Sequence, residues 1–148
     1  MKVALGSDHA GFALKESIAE YLDASDKSFL DCGVSSEDSV DYPDIAVSVV
    51  NAVLSGECEC GILICGTGIG MSIAANKHKG IRAALCGEPY SAKCARKHND
   101  ANILTMGSRV TGPGLAADIV EAFFSESFDG GRHKRRLDKI EFIEKNSC

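Results

Sequence analysis

The chain has 148 residues, 45% of them apolar and 25% charged, and its 21 acidic against 16 basic side chains give a net charge of −5. That size fits one domain over residues 1–148, and that balance excludes an unfolded chain, which lacks the apolar residues to bury a core. An acidic chain is also a poor general nucleic-acid binder, since affinity for phosphate backbones comes from excess positive charge.

No apolar run approaches the ~18 residues of a membrane crossing, and Asp8 and His9 interrupt the opening residues too early for a secretory signal. Seven cysteines are an odd number without disulfide-framework spacing, so reduced thiols in a cytoplasm are expected.

Short apolar runs alternate with helical patterns along the chain. The runs cover residues 3–6, 28–32, 61–65, 81–86 and 102–106; the patterns cover 12–22, 45–54, 70–77, 91–97 and 113–124, with a last one from 132 to about 145. The runs lack polar alternation, as strands covered on both faces do. This predicts an α/β, three-layer, Rossmann-like or flavodoxin-like fold with a five-stranded parallel sheet. The expected strand order is 2-1-3-4-5, with the ligand-binding switch point between the first and third strands. The loops leaving those strands, at Ser7-Asp8-His9 and at residues 65–70, would then face one crevice.

Residues 61–72 read as strand, glycine-rich turn and helix start. Gly66, Gly68 and Gly70 let a ligand approach the main chain, and the helix start offers unpaired N–H groups with partial positive charge. Such a loop holds a phosphate or the oxyanion of a reacting sugar, or it is a tight turn that binds nothing. A dinucleotide fingerprint needs glycine where Met71 stands, and the Gly-Lys-Ser/Thr of a P-loop is absent. Cys65 ends the strand at this helix start, a setting that favours a thiolate able to act as base or nucleophile. Taken alone, it also reads as a small buried apolar residue. Cys32, Cys58, Cys60, Cys86, Cys94 and Cys148 read as core or surface thiols, and Cys58-Glu59-Cys60 lacks the spacing of a zinc pair.

Other residues stand out singly, each with a plain alternative. Asp8 after an apolar strand is costly to bury unless paired or used, or it caps the helix beginning near Gly11. His98 offers an imidazole suited to proton transfer at a ring oxygen, or is a solvated helix end. Tyr42-Pro43 is an aromatic lid or a turn. Arg109 follows the fifth strand at the edge where ligands bind. Arg132 and Arg136 stand four apart, so one helix face can offer both to one phosphate; the same basic run also reads as a solvated face or a nucleic-acid patch. Leu137, Ile140 and Ile143 form an apolar stripe that suits packing on a neighbouring subunit. His78 and His133 are expected at the surface.

As a set, these blocks closely resemble the type B ribose-5-phosphate isomerases, within the family shared with galactose-6-phosphate isomerase subunits. The matching blocks are Ser7-Asp8-His9-Ala10-Gly11-Phe12, Asp41-Tyr42-Pro43, residues 65–70 with Ala74-Ala75-Asn76-Lys77, and Glu88-Pro89-Tyr90-Ser91. Arg96-Lys97-His98-Asn99-Asp100-Ala101-Asn102, Gly107-Ser108-Arg109-Val110 and Gly130-Gly131-Arg132-His133 complete them, in order over nearly the whole chain. The resemblance implies interconversion of ribose 5-phosphate and ribulose 5-phosphate through an enediolate, without metal or organic cofactor. It also implies a homodimer or dimer of dimers with active sites between subunits.

By the same resemblance, Cys65 moves the proton between C2 and C1, and His98 assists ring opening, with Asp8 at the ring oxygen or hydroxyls. Thr67, Asn99 and the backbone of Gly66, Gly68, Ile69 and Gly70 hold the reacting oxygens. His9, Arg109, Arg132 and Arg136 address the phosphate, some of them from a second subunit, and Tyr42 lines the sugar pocket. One branch of the family uses a glutamate base at the position of Met71, so the cysteine is the consistent base here. Allose 6-phosphate and galactose 6-phosphate are alternative substrates, and a noncatalytic nucleotide-binding module is a third reading. The isomerase reading requires the Cys65 sulfur to share a cleft with the arginines.

Overall fold

A computed structural model describes residues 1–146, which leaves Cys148 outside the described residues. The chain runs β1 (Lys2–Ser7), a 3-10 turn (His9–Gly11), α1 (Phe12–Ala24), β2 (Ser28–Asp31), α2 (Tyr42–Leu54), β3 (Cys60–Cys65) and α3 (Ile69–Ala75). It continues through β4 (Ala83–Leu85), α4 (Pro89–Asn99), β5 (Ile103–Gly107), α5 (Pro113–Phe124) and α6 (Gly131–Asn146). The apolar runs form a sheet in which every ladder is parallel, and β3 and β5 are buried along their whole lengths.

The strand order is β2-β1-β3-β5-β4, which corrects the expected 2-1-3-4-5 by exchanging the last two strands. Burial explains the exchange. The Ile-Leu-Thr-Met-Gly sequence of β5 is wholly buried and suits an interior position, whereas β4 is three half-exposed residues and suits an edge. The expected strand over 81–86 shrinks accordingly. The largest early starts are those of α2 at Tyr42, with Pro43 in its first turn, and α4 at Pro89. Glu88 caps α4, its carboxylate accepting from the N–H groups of Tyr90 and Ser91 at 2.6 and 2.7 Å.

Right-handed crossovers then decide which face each helix covers. Moves toward the β2 edge, through α1 and α4, use one face; moves toward the β4 edge, through α2 and α3, use the other. Leu14, Ile18 and Leu22 of α1, Ala92 and Ala95 of α4, and Ile119, Val120 and Phe123 of α5 share one core with Leu5, Ile62 and Met106. Ala46, Val49 and Val50 of α2 share the second with Met71, Ala75, Leu63 and Ile103. The chain therefore leaves β3 toward one face, while both neighbouring strands, β1 and β5, release it toward the other. That opens a crevice on each side of the loop after Cys65.

Only Leu137 of the expected apolar stripe is buried within the chain, while Ile140, Phe142 and Ile143 of α6 are exposed. No helix among the described residues is long and apolar enough to cross a membrane.

Burial pushes the Cys60 thiol up to about 12 and the Cys86 thiol up to about 11. An unfolded chain ionises its cysteines near pH 8.5, so the folded state holds protons that the unfolded state has lost. This contribution to stability is complete below about pH 8.5 and disappears as the pH rises toward the folded values. In urea titrations, Cys60→Val is expected to lose less unfolding free energy than the wild type between about pH 8.5 and 11. Parallel losses in the two proteins would show that the thiol does not contribute.

Candidate active site

The first group of candidate site residues lies at the carboxyl edge of the sheet. β3 ends at Cys65, 5% exposed, and the chain turns through Gly66, Thr67 and Gly68 into α3. The Gly68 N–H donates to the Cys65 sulfur at 3.1 Å, and the Ile69 N–H donates to Thr67 Oγ1 at 3.4 Å. Gly68 has φ +78° and caps α3. Any other residue would be strained there, and a Cβ would lie 2.6 Å from Leu85 Cδ1 and 2.8 Å from the Met106 carbonyl carbon.

Backbone bonds tie this loop to those leaving β1 and β5. The Asp8 N–H donates to the Ile64 carbonyl at 3.3 Å, the Ser108 N–H to that of Cys65 at 2.9 Å and the Arg109 N–H to that of Gly66 at 3.0 Å. The buried Asp8 carboxylate accepts from the Gly11 N–H at 3.0 Å, so the capping arrangement is present and fixes the carboxylate at the crevice. His9 Nδ1 accepts from the Val40 N–H at 3.3 Å, leaving Nε2 as the donor end of the ring. A Cβ on Gly66 would stand 3.3 Å from the Arg109 guanidinium carbon, and one on Gly70 would stand 2.7 Å from the Tyr42 ring. Cys65, Thr67 and residues 66–70 thus share one region with Asp8, His9, Tyr42 and Arg109. Met71, the position of an alternative acid, is wholly buried in the core.

The second group lies at the opposite edge. α4 carries the chain from the carboxyl end of β4 back to the amino end of β5, so His98 and Asn99 in its last turn sit at the amino edge. Register fixes the separation. Gly61 pairs with Ile103 and Cys65 with Gly107, and four residues of strand span about 13 Å. Arg132 and Arg136 open α6 beside α4, where the Asp129 N–H donates to the Lys97 carbonyl at 2.9 Å. The turn after His98 is held firmly. Asp100 has φ +45°, its carboxylate pairs with Arg82 at 2.8 Å and Arg96 at 3.6 Å, and Arg82 Nε donates to the carbonyls of Asn99 and Asp100.

The cleft expected to join Cys65 with the arginines contains Arg109. Within one chain it contains neither Arg132 nor Arg136, nor His98 or Asn99, because a return helix ends at the edge opposite the strand ends. A groove of about 800 Å³ does lie at the amino edge, lined by Asn76, Arg82, Asn99, Leu137, Ile140 and Glu144.

His133 corrects another expectation. It is 7% exposed and stacks on His98, with ring centroids 4.2 Å apart and planes 6° from parallel. Burial and the neighbouring His98, Arg132 and Arg136 hold its pKa below the ordinary histidine value. The sequence carries a clue: His133 stands four residues before the buried Leu137, on the packed face of α6. His98, Asp129 and His133 bring one ligand atom each within 4.8 Å of one another. Parallel rings cannot both aim their in-plane lone pairs at one ion between them, so these donors do not fit a metal.

Residues 3–140 match the Ribose/Galactose Isomerase family. The chain is 50% identical over 143 residues to ribose-5-phosphate isomerase B of Escherichia coli strain K12, covering 97% of this chain and 96% of that one. A putative sugar phosphate isomerase of Bacillus subtilis strain 168, YwlF, is 53% identical over 148 residues, 99% of each chain. Among solved structures, ribose-5-phosphate isomerase B of Clostridium thermocellum superposes with a TM-score of 0.96 at 53% identity, over 98% of both chains. The fold, with a thiol, a carboxylate and a glycine loop at one sheet edge, is that of a sugar-phosphate isomerase. The chain belongs to the ribose/galactose isomerase family.

Gly68→Ala is expected to lower turnover roughly tenfold or more, because the strained turn displaces both the sulfur and the loop N–H groups. Its melting temperature is expected to fall with it. Wild-type turnover and melting temperature in this variant would contradict the need for glycine.

Proposed function

We propose that the protein interconverts ribose 5-phosphate and ribulose 5-phosphate, in a site that two copies of the chain complete together. The observation that carries this reading is the Cys65 sulfur, which meets the Gly68 N–H at the mouth of the glycine loop, between the loops bearing Asp8 and Arg109.

The reaction moves hydrogen within one molecule with no net oxidation, so side chains supply the chemistry. The Cys65 thiolate takes the proton from C2, and the electrons of the C2–H bond form the C1=C2 bond of a cis-enediolate. The C1=O electrons move onto O1, a proton passes from O2 to O1, and return of the carbon-bound proton to C1 then leaves the carbonyl at C2. Charge that develops on the two oxygens meets Thr67, the N–H groups of the loop and Asn99 of the second copy, and each fixed donor contributes about 2.7–4 kcal/mol. His98 of the second copy protonates the ring oxygen as the furanose opens, with Asp8 at the hydroxyls. Arg109 and His9 take the phosphate from one side and Arg132 and Arg136 from the other, while Tyr42 covers the sugar.

Pairing of copies follows from the need to bring the two sheet edges together. A two-fold dimer, alone or as half of a dimer of dimers, meets that need twice, once per site. The exposed Ile69, Ile73 and Leu85 near the glycine loop and Ile140, Phe142 and Ile143 on α6 offer apolar surface for the contact.

A panel of ribose 5-phosphate, allose 6-phosphate and galactose 6-phosphate tests the substrate, with ribose 5-phosphate expected to give the highest kcat/KM. Preference for a hexose phosphate would replace it. Cys65→Ala is expected to keep its fold and lose roughly 100-fold or more in kcat; near-wild-type turnover would remove the sulfur from the mechanism. His98→Ala is expected to slow ring-closed substrate more than an open-chain analogue, and equal losses would contradict ring opening.

A further inference from the structure

We propose that His133 is a positioning residue for His98: its ring fixes the plane of the His98 imidazole, and the stacked pair holds at most one proton. The positioning half rests on the ring-opening role of His98 proposed above; the sharing of one proton does not.

Two imidazole rings 4.2 Å apart and nearly parallel leave neither free to tilt without losing contact. Both supports are anchored. His98 precedes the Asp100 turn clamped by Arg82 and Arg96. His133 is buried one helical turn before Leu137, and its N–H donates to the Gly130 carbonyl at 3.0 Å. A ring that must deliver a proton to one oxygen of a bound sugar gains from this, because a small misplacement of a catalytic group costs orders of magnitude in rate.

The charges around the stack set its proton count. His98 faces His133 from α4. Arg132 and Arg136 face it from its own helix, with Arg132 Nε 3.5 Å from His133 Nε2. Asp129 faces it from the preceding loop, and that carboxylate is shared with Lys97 at 4.0 Å. Two guanidinium groups and one partly neutralised carboxylate leave the surroundings positive. A second imidazolium at stacking distance adds repulsion that burial does not relieve, so the rings titrate as a coupled pair. Burial, the facing His98 ring and the two guanidinium groups hold His133 below its ordinary value.

The experiment uses the intact protein and two readouts. In the first, NMR follows the His133 ring through a pH titration in the wild type and in His98→Phe, which keeps an aromatic plate but removes its charge. The His133 midpoint is expected to rise toward about 6.5 in the variant. An unchanged midpoint would overturn the shared proton, whatever the catalytic role of His98.

The second readout compares kcat and KM in His133→Ala and His133→Phe. His133→Ala is expected to lose roughly tenfold in kcat with little change in KM, and His133→Phe to recover most of the loss. Unchanged kcat in His133→Ala, or a loss confined to KM, would overturn positioning; the latter would assign His133 to phosphate binding. If His133→Ala does not fold, His133→Phe decides positioning alone, since loss of most of its kcat would show that a stacked plate is not enough.

Discussion

A parallel strand and the helix that returns from it run in opposite directions, and this constraint divides the candidate site residues of the chain into two sets. Residues that follow strands gather at the carboxyl edge, which is where Asp8, Cys65, Thr67 and Arg109 stand. Residues that end return helices gather at the amino edge, with His98 and Asn99, and α6 begins there with Arg132, His133 and Arg136. No side-chain rotation bridges about 13 Å of sheet. The proposed site uses both sets and must therefore draw them from two copies of the chain.

At the carboxyl edge the chemistry depends on where the chain changes faces. The crossovers leave β3 on the side opposite those of its neighbours β1 and β5, so the turn after Cys65 projects between two crevices. The positive φ of Gly68 lets its N–H point at the sulfur while the next residues begin a helix. Backbone bonds from Asp8, Ser108 and Arg109 hold the three loops as one unit. The scaffold therefore fixes thiol, carboxylate and guanidinium together, which is the pre-organisation that the proposed enediolate chemistry requires.

Much of this was readable in the residues. The unalternating runs gave the parallel sheet, and the glycine spacing after Cys65 gave the loop. The strand order was not, because periodicity reports burial and says nothing about neighbours. The signal that separates β5 from β4, a wholly buried five-residue strand against a half-exposed three-residue one, exists only once their true lengths are known. The role of His133 was hidden for a related reason. It sits in a strongly basic run that suggests a solvated face, and only the docking of α6 beside α4 turns its ring inward onto His98. The separation of Cys65 from His98 was implicit in the alternation of strands and helices, since a residue at the end of a helix and one at the end of a strand lie at opposite edges.

Two defective chains test the composite site most directly. Cys65→Ala and His98→Ala, each nearly inactive alone, are co-expressed or refolded together so that mixed pairs form. In every mixed pair one site carries both defects and the other carries neither. Isomerase activity is then expected to return to about a quarter of the wild-type value for random two-fold pairing. Activity that stays at the level of the separate variants, with mixed pairs demonstrably present, would contradict a site shared between chains.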